Sequence, residues 1–565
     1  MFEKGHIDTG FANRAWLPSL GRADDGTIYC AWSLDVKVIY VCRSHDAGKT
    51  WSKSVKVMEC PRPGDLGDPN VLCVGKRVTV FASFGPAPRP PYTSIDTLAS
   101  SSDDGGETWS AVRVVPIPRK YVCGRCQPPI RLDEKAIAMG YSYDVPAEEG
   151  HPVSEEQLMH LRAGVLLSHD EGQTWSAGGD IDVSIANIGV GDSTGADEPA
   201  IVRLSNGDLF AIVRTYDTHP YETRSHDGGL TWDTPKPSRF FGHNSPSALL
   251  RLSDGAIVRA WDNSPEQRFP LVASLSTDDG RTWTPPCTIT EPTAEASFGE
   301  ASYPTLVQAA DGTIVVSWWE TDAHGSNVGV ARFDRKWLEE AKAGPVIVAF
   351  GDSVTLGARP GIAEAETFRA RLQAKLRDAG VAAKVANAGI GGSNTRDALA
   401  RMDRDVVAEE PRVVIVMFGL NDAAMVDGGP VARTEPRVSL AEYRENLTHI
   451  VRRAKRAGAQ VVLCTPTPMS RAYPYEKLGA YGTHEDINFL LREYAQAARE
   501  VADAEHVPLV DLFALFTERP DGLKLIEDGN HPWPAGHALI VERLFAPVRA
   551  ALAAATKGSR PVHGE

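Results

Sequence analysis

Four short blocks between Gly351 and Pro532 carry residue types that could do nucleophilic chemistry. The first is Gly351-Asp352-Ser353. It follows Val346-Ile347-Val348-Ala349-Phe350, a continuous apolar run of the kind found in a strand buried on both faces. A serine on a tight strand-to-helix turn has its hydroxyl exposed and its backbone N–H free. The second block is Asn387-Ala388-Gly389-Ile390-Gly391-Gly392 and the third is Gly419-Leu420-Asn421-Asp422. The fourth is Asp528-Gly529-Asn530-His531-Pro532. A serine hydroxyl is a poor nucleophile until a base takes its proton. A carboxylate three residues before a histidine, as Asp528 is before His531, can orient the ring and stabilise the imidazolium.

The elements that must position these blocks alternate. Strands are expected at Val346 to Phe350, Ala383 to Ala386, Val413 to Phe418, Gln460 to Cys464 and Pro508 to Leu512. Helical stretches are expected near 364–379, 396–409, 439–457, 485–503 and 534–553. Such alternation means a parallel sheet sandwiched by helices, with right-handed crossovers. Sites in these sheets lie at the carboxyl ends of the strands, where the first three blocks fall.

The four blocks, in this order and spacing, resemble the SGNH hydrolase (GDSL esterase/lipase) family over about residues 345–553. The resemblance implies a flavodoxin-like, three-layer α/β domain. It makes Ser353 the nucleophile, His531 the base and Asp528 its orienting partner. It assigns the oxyanion hole to the N–H groups of Ser353 and Gly392 and to the side-chain amide of Asn421. Removing one such donor typically costs on the order of 100- to 1,000-fold in rate. Glycine at 392 lets the backbone come close to the oxyanion. No cofactor and no metal site are expected.

The N-terminal part is a repeat. Ser44-His45-Asp46-Ala47-Gly48-Lys49-Thr50-Trp51 recurs at Ser102 to Trp109, Ser168 to Trp175, Ser225 to Trp232 and Ser276 to Trp283. The Asp carboxylate can accept N–H bonds across a hairpin turn, Gly supplies a positive φ, and Trp packs between sheets. A second repeat runs out of phase with it. In six units a proline precedes an apolar run, at Pro18, Pro69, Pro128, Pro199, Pro246 and Pro304. Units of this size with about four short strands read as propeller blades. Residues just before the prolines should ring one mouth: Trp16, Asp68, Gln127, Glu198, Ser245 and Tyr303. Aromatic faces, carboxylates and an amide suit a sugar.

These boxes resemble the Asp boxes of the sialidase-like six-bladed propeller, over about residues 5–335. The resemblance makes Tyr303 the nucleophile, Glu198 its partner, and Arg214 and Arg268 two of three arginines that grip a carboxylate. Asp35 takes the acid/base place. The family's first arginine, in an Arg-Ile-Pro motif, is replaced by Trp16-Leu17-Pro18. That leaves open whether the sugar is sialic acid or another acidic one, and whether the pocket cleaves or only binds.

The whole chain of 565 residues therefore divides in two, an all-β propeller followed by an α/β hydrolase. The expected bounds are 1–335, a linker at 336–345, the hydrolase at 346–555 and a tail at 556–565. Eleven of the twelve tryptophans precede residue 340, in keeping with that division. The net charge of −15 argues against a nucleic-acid partner. No apolar run is long enough for a membrane span. Eight irregularly spaced cysteines do not form a disulfide framework, and Cys123-x-x-Cys126 lacks a second pair for zinc. The opening residues show no signal peptide, so a cytoplasmic location is expected, with an exported form left open. The combined expectation is a serine esterase that removes O-acetyl groups from an acetylated oligosaccharide or glycoside, with a propeller that binds the acidic sugar, cleavage there by Tyr303 and a non-catalytic lectin-like role both left open. The rival expectation for the second half is a lipase- or thioesterase-type hydrolase.

Overall fold

In the first part of the chain, short strands such as Ile137–Asp144 and Leu209–Thr215 are buried along their whole length and turn back on themselves. The computed structural model describes all residues except 87–95, 120–121, 124–126, 150–158, 184–192, 266, 291–299, 323, 341–344, 358–360, 427–430 and 558–565. Cys126 and the Cys123 side chain lie outside the described residues, as does most of the expected tail. The chain divides into two compact units, Met1–Lys342 and Ala343–Glu565.

The first unit is built of six antiparallel meanders, four of them separate four-stranded sheets and the other two, of five and four strands, sharing one nine-stranded sheet. The sharing comes from parallel pairing of Met159–Leu161 with Ser193–Gly195. The N-terminal strand Phe2–His6 pairs with Gly325–Phe333, so the last blade takes its outer strand from the start of the chain. Six hydrophobic clusters then close a ring. Each draws residues from two consecutive blades, for example Trp32 with Val315, Phe81 with Met139, and Trp261 with Ile212. A sheet buried on both faces by its two neighbours is a propeller blade.

The repeated boxes lie between the third and fourth strands of their blades, as in Val38–Ser44 and Val55–Glu59. Thr50 N–H and Oγ1 donate to the Asp46 carboxylate at 2.9 and 2.7 Å, and Gly48 N–H donates to Ser44 Oγ at 2.9 Å. Gly48 has φ +80°, which explains the glycine. In the same turn of the fourth blade, Thr231 holds Asp227 down to about 2 through its hydroxyl and N–H.

The second unit carries one five-stranded parallel sheet. Its strands are Val346–Gly351, Lys384–Gly389, Val413–Met417, Gln460–Cys464 and Leu509–Val510, in spatial order second, first, third, fourth, fifth. That order reverses direction beside the first strand, and ligands bind at such a switch point. Helices Phe368–Asp378, Thr395–Asp405, Leu440–Arg456, Phe489–Ala504 and Pro534–Lys557 cover the sheet. Their starts are capped by Thr367, Asn394 and Ser439 in the first three cases. No helix of the described residues is long and apolar enough to cross a membrane.

Three expectations are corrected. The second strand runs on to Gly389 because Asn387 and Ala388 pair with Ala349 and Phe350, and the parallel ladder overrides their low strand propensity. The fifth strand is only two residues long, because Asp511 caps the helix Leu512–Thr517 and ends it. The linker expected at 336–345 begins instead as a helix, Arg335–Glu339, capped by Asp334. Leu338 in that helix is buried with Trp318 and Phe333, which ties these residues to the propeller.

Candidate functional site

Two clusters of polar side chains stand out, one in each unit. In the second unit Asp352 ends the first strand's turn and caps the short helix Ser353–Leu356, accepting from Val354 N–H at 2.9 Å. Ser353 is the first residue of that helix, so its N–H has no partner within the helix. Ser353 Oγ lies 2.9 Å from His531 Nε2. His531 Nδ1 lies 2.8 Å from Asp528 Oδ2, and His531 N–H donates to Asp528 Oδ1 at 2.9 Å. Burial opposes ionisation of Asp528, but the hydrogen bonds and charge of His531 hold it down to about 2. An ionised Asp528 fixes a proton on Nδ1 and leaves Nε2 to accept from the serine.

Asn421 stands beside this relay. Its Nδ2 donates to Ser393 O at 3.2 Å and to Asp352 Oδ2 at 3.4 Å. Gly392 has φ +73°, and a Cβ there would meet nothing within 4 Å. The space beside its backbone is therefore open. The arrangement can attack an acyl carbon from Ser353 and hold an oxyanion between two N–H groups and an amide.

Several residues that support this site carried no sequence signal. Arg401 is buried and donates to Gly351 O and Ala388 O at 2.8 and 2.9 Å, clamping the carboxyl ends of the first two strands. Its charge is balanced by Asp405 at 2.8 Å. Arg369 donates to Thr355 O and Leu356 O, at 2.8 and 2.6 Å, and steadies the helix that carries Ser353. Asp422 accepts from Thr395 N–H and Oγ1 at 3.0 and 2.5 Å. It ties the Asn421 turn to the start of the helix Thr395–Asp405, and burial lifts its carboxyl to about 6.

The propeller cluster is built differently. In five blades a residue with positive φ lies within the first strand or just ahead of it: Leu17, Asp68, Glu198, Asn244 and Tyr303. In four of these the strand register shifts at that point. A bulge re-aims one side chain, at a cost in backbone strain. Glu198, Asn244 and Tyr303, from three blades, converge on Arg214. Arg214 donates to Glu198 Oε2 at 2.6 Å, to Tyr303 Oη at 3.3 Å and to Asn244 Oδ1 at 2.6 and 2.8 Å. Arg268 donates to Glu300 Oε2 at 3.0 Å and to Asn244 O at 2.7 Å, with its guanidinium 5.4 Å from the Tyr303 ring centre. Burial, with Arg268 and Arg214 adding to it, pushes His243 down to about 4.

Sequence-predicted residues divide accordingly. Tyr303, Glu198, Arg214 and Arg268 meet. Trp16 joins them indirectly, stacked at 4.9 Å on Trp319, whose ring is edge-on to Tyr303 at 5.9 Å. Gln127 reaches across to donate to Pro304 O at 3.0 Å. Asp68 occupies the same bulge position in its own blade. Asp35 is held by Arg14, whose Nε donates to Oδ1 at 3.1 Å. Leu17 and Asn244, the neighbours of Trp16 and Ser245, are the residues with positive φ in their blades. Asn244 and Glu300 were missed because neither falls in a repeated motif.

Residues 33–316 match the BNR repeat-like domain, and residues 349–539 match the GDSL-like lipase/acylhydrolase family. The chain is 30% identical to an acetylxylan esterase of Geobacillus stearothermophilus over 178 residues, which are 31% of this chain and 74% of that protein. The chain belongs to both families. The GDSL-like part is also 30% identical to an uncharacterized lipoprotein, YqeF, of Bacillus subtilis, over 35% of this chain and 86% of that protein. The BNR-like part superposes on a Hadza microbial sialidase with a TM-score of 0.48 and 16% identity, covering 57% of this chain and 66% of that one. The BNR-like unit and the GDSL-like unit each hold their own polar cluster.

Proposed function

We propose that the GDSL-like unit is an ester hydrolase that removes O-acetyl groups from a glycan, and that the BNR-like propeller binds the acidic sugar which carries them. The observation that carries this reading is the contact sequence Ser353 Oγ, His531 Nε2, His531 Nδ1, Asp528 Oδ2, at 2.9 and 2.8 Å. In the proposed reaction His531 takes the Ser353 proton as Oγ attacks the ester carbonyl. The tetrahedral oxyanion is held by the N–H groups of Ser353 and Gly392 and by the Asn421 amide. His531 then protonates the departing sugar hydroxyl, and water, activated the same way, releases acetate from the acyl-Ser353 intermediate.

The name of the acetylxylan esterase relative supports an acetyl group on a sugar as the substrate. In the propeller mouth, Arg214 and Arg268 support an anionic ligand. An acetyl group blocks hydroxyl contacts, so deacetylation would precede tight binding of the bared sugar.

A second reading, glycoside cleavage in the propeller, is favoured by the meeting of Glu198 and Tyr303 at one arginine. A panel of p-nitrophenyl esters and acetylated acidic glycosides tests both. Acetate esters are expected to be preferred; a preference for chains longer than ~6 carbons would reject the acetyl assignment. Glycoside cleavage that survives Tyr303→Phe would reject Tyr303 as a nucleophile.

A further inference from the structure

We propose that Arg437 is a positioning residue for ester hydrolysis, fixing and polarising the Asn421 amide so that its N–H faces the oxyanion. The proposal rests on the ester-hydrolase reading above. An asparagine amide can sit in either of two orientations, and only one presents donors to the reacting oxygen. Arg437 Nη1 donates to Asn421 Oδ1 at 3.3 Å. A guanidinium has donors only, so it accepts the oxygen end of the amide and refuses the nitrogen end. On the other side Ser393 O, an acceptor, takes one Nδ2 hydrogen at 3.2 Å, and the second, in a long 3.4 Å contact with Asp352 Oδ2, is the one that turns to the oxyanion. The Arg437 and Ser393 contacts select the same orientation.

Arg437 is itself seated. Its N–H donates to Ala424 O at 3.1 Å, and its carbonyl accepts from Arg396 Nη1 at 3.1 Å. The next residue, Val438, is buried and donates through its N–H to Asp422 O at 3.0 Å. The segment is therefore tied to the same turn that carries Asn421. Arg437 is half-buried, and among the described residues no carboxylate pairs with it. Its charge is thus directed at the amide oxygen. A cation there draws electron density from the amide nitrogen and strengthens Nδ2–H as a donor, an effect that grows as negative charge develops on the substrate.

The test is steady-state hydrolysis of p-nitrophenyl acetate by the full chain and by Ser353→Ala, Asn421→Ala, Arg437→Gln, Arg437→Lys and the Asn421→Ala/Arg437→Gln pair. Arg437→Gln is expected to lower kcat on the order of 10-fold, less than loss of the donor itself, with KM changed less than about 2-fold. Arg437→Lys should recover part of that loss, and it carries the test alone if the glutamine variant fails to fold. The double variant should be no slower than Asn421→Ala, because Arg437 acts only through Asn421. A parental kcat in Arg437→Gln, a change in KM alone, or losses that multiply in the double variant would overturn the proposal. A parent chain no faster than Ser353→Ala would instead overturn the ester-hydrolase reading.

Discussion

The two polar clusters are assembled by opposite means. In the hydrolase unit, each chemistry-bearing residue sits in a short block at the end of its own strand or helix start. Its neighbours in sequence are also its neighbours in space. Asp352 caps the helix that Ser353 begins, and Asp528 reaches His531 three residues on. In the propeller the cluster is assembled across blades. Arg214 gathers Glu198, Asn244 and Tyr303, which lie up to 89 residues away, and each of the three has a positive φ. In the hydrolase only the pieces are local: the blocks themselves meet across the parallel sheet, with Ser353 and His531 178 residues apart. A ring of blades makes a site that depends on closure.

That difference sets the expected effects of mutation. Ser353→Ala should lower ester hydrolysis by on the order of 10,000-fold or more while sugar binding by the propeller is retained, as read by p-nitrophenyl acetate kinetics and calorimetry. Loss of both together would break the separation of the two units. Asn421→Ala should cost about 100- to 1,000-fold in kcat. Arg268→Gln should weaken binding of an acidic glycoside by roughly 10-fold or more, with hydrolysis of p-nitrophenyl acetate unchanged. Equal binding of acidic and neutral glycosides would remove the case for a carboxylate site.

The smallest effect concerns pH. Asp262 is fully buried, and burial lifts its carboxyl from 3.8 to about 8. The unfolded chain gives up this proton near 3.8 and the folded one near 8, so between those values rising pH favours unfolding. Asp262→Asn should flatten the fall in the propeller's Tm between pH 5 and 8, by a few degrees. An unchanged slope would assign it to other groups.

The same contrast decided what was legible in the sequence. The hydrolase strands could be read because a strand buried on both faces is apolar throughout, as in Val346–Gly351. The relay could be read because its parts lie in compact blocks. Arg401, Arg369 and Arg437 could not, since each is an arginine in an ordinary helix or loop and gains its role only from which carbonyl or amide it meets. In the propeller, the boxes announced the blades because a hairpin turn needs the same Ser, Asp, Gly and Thr each time. Asn244 and Glu300 stayed hidden because ring closure, and no local pattern, brings them to Arg214 and Arg268. The linker was drawn too early because Leu338 finds its apolar partners more than one strand away.

The most direct test of an activated Ser353 is covalent labelling of the full chain with a fluorophosphonate, followed by peptide mass spectrometry. The expected result is a single adduct on Ser353 that appears together with loss of p-nitrophenyl acetate hydrolysis and is suppressed in His531→Ala. Hydrolysis that persists with Ser353 fully labelled, or an inactivating adduct on another residue, would contradict the assignment.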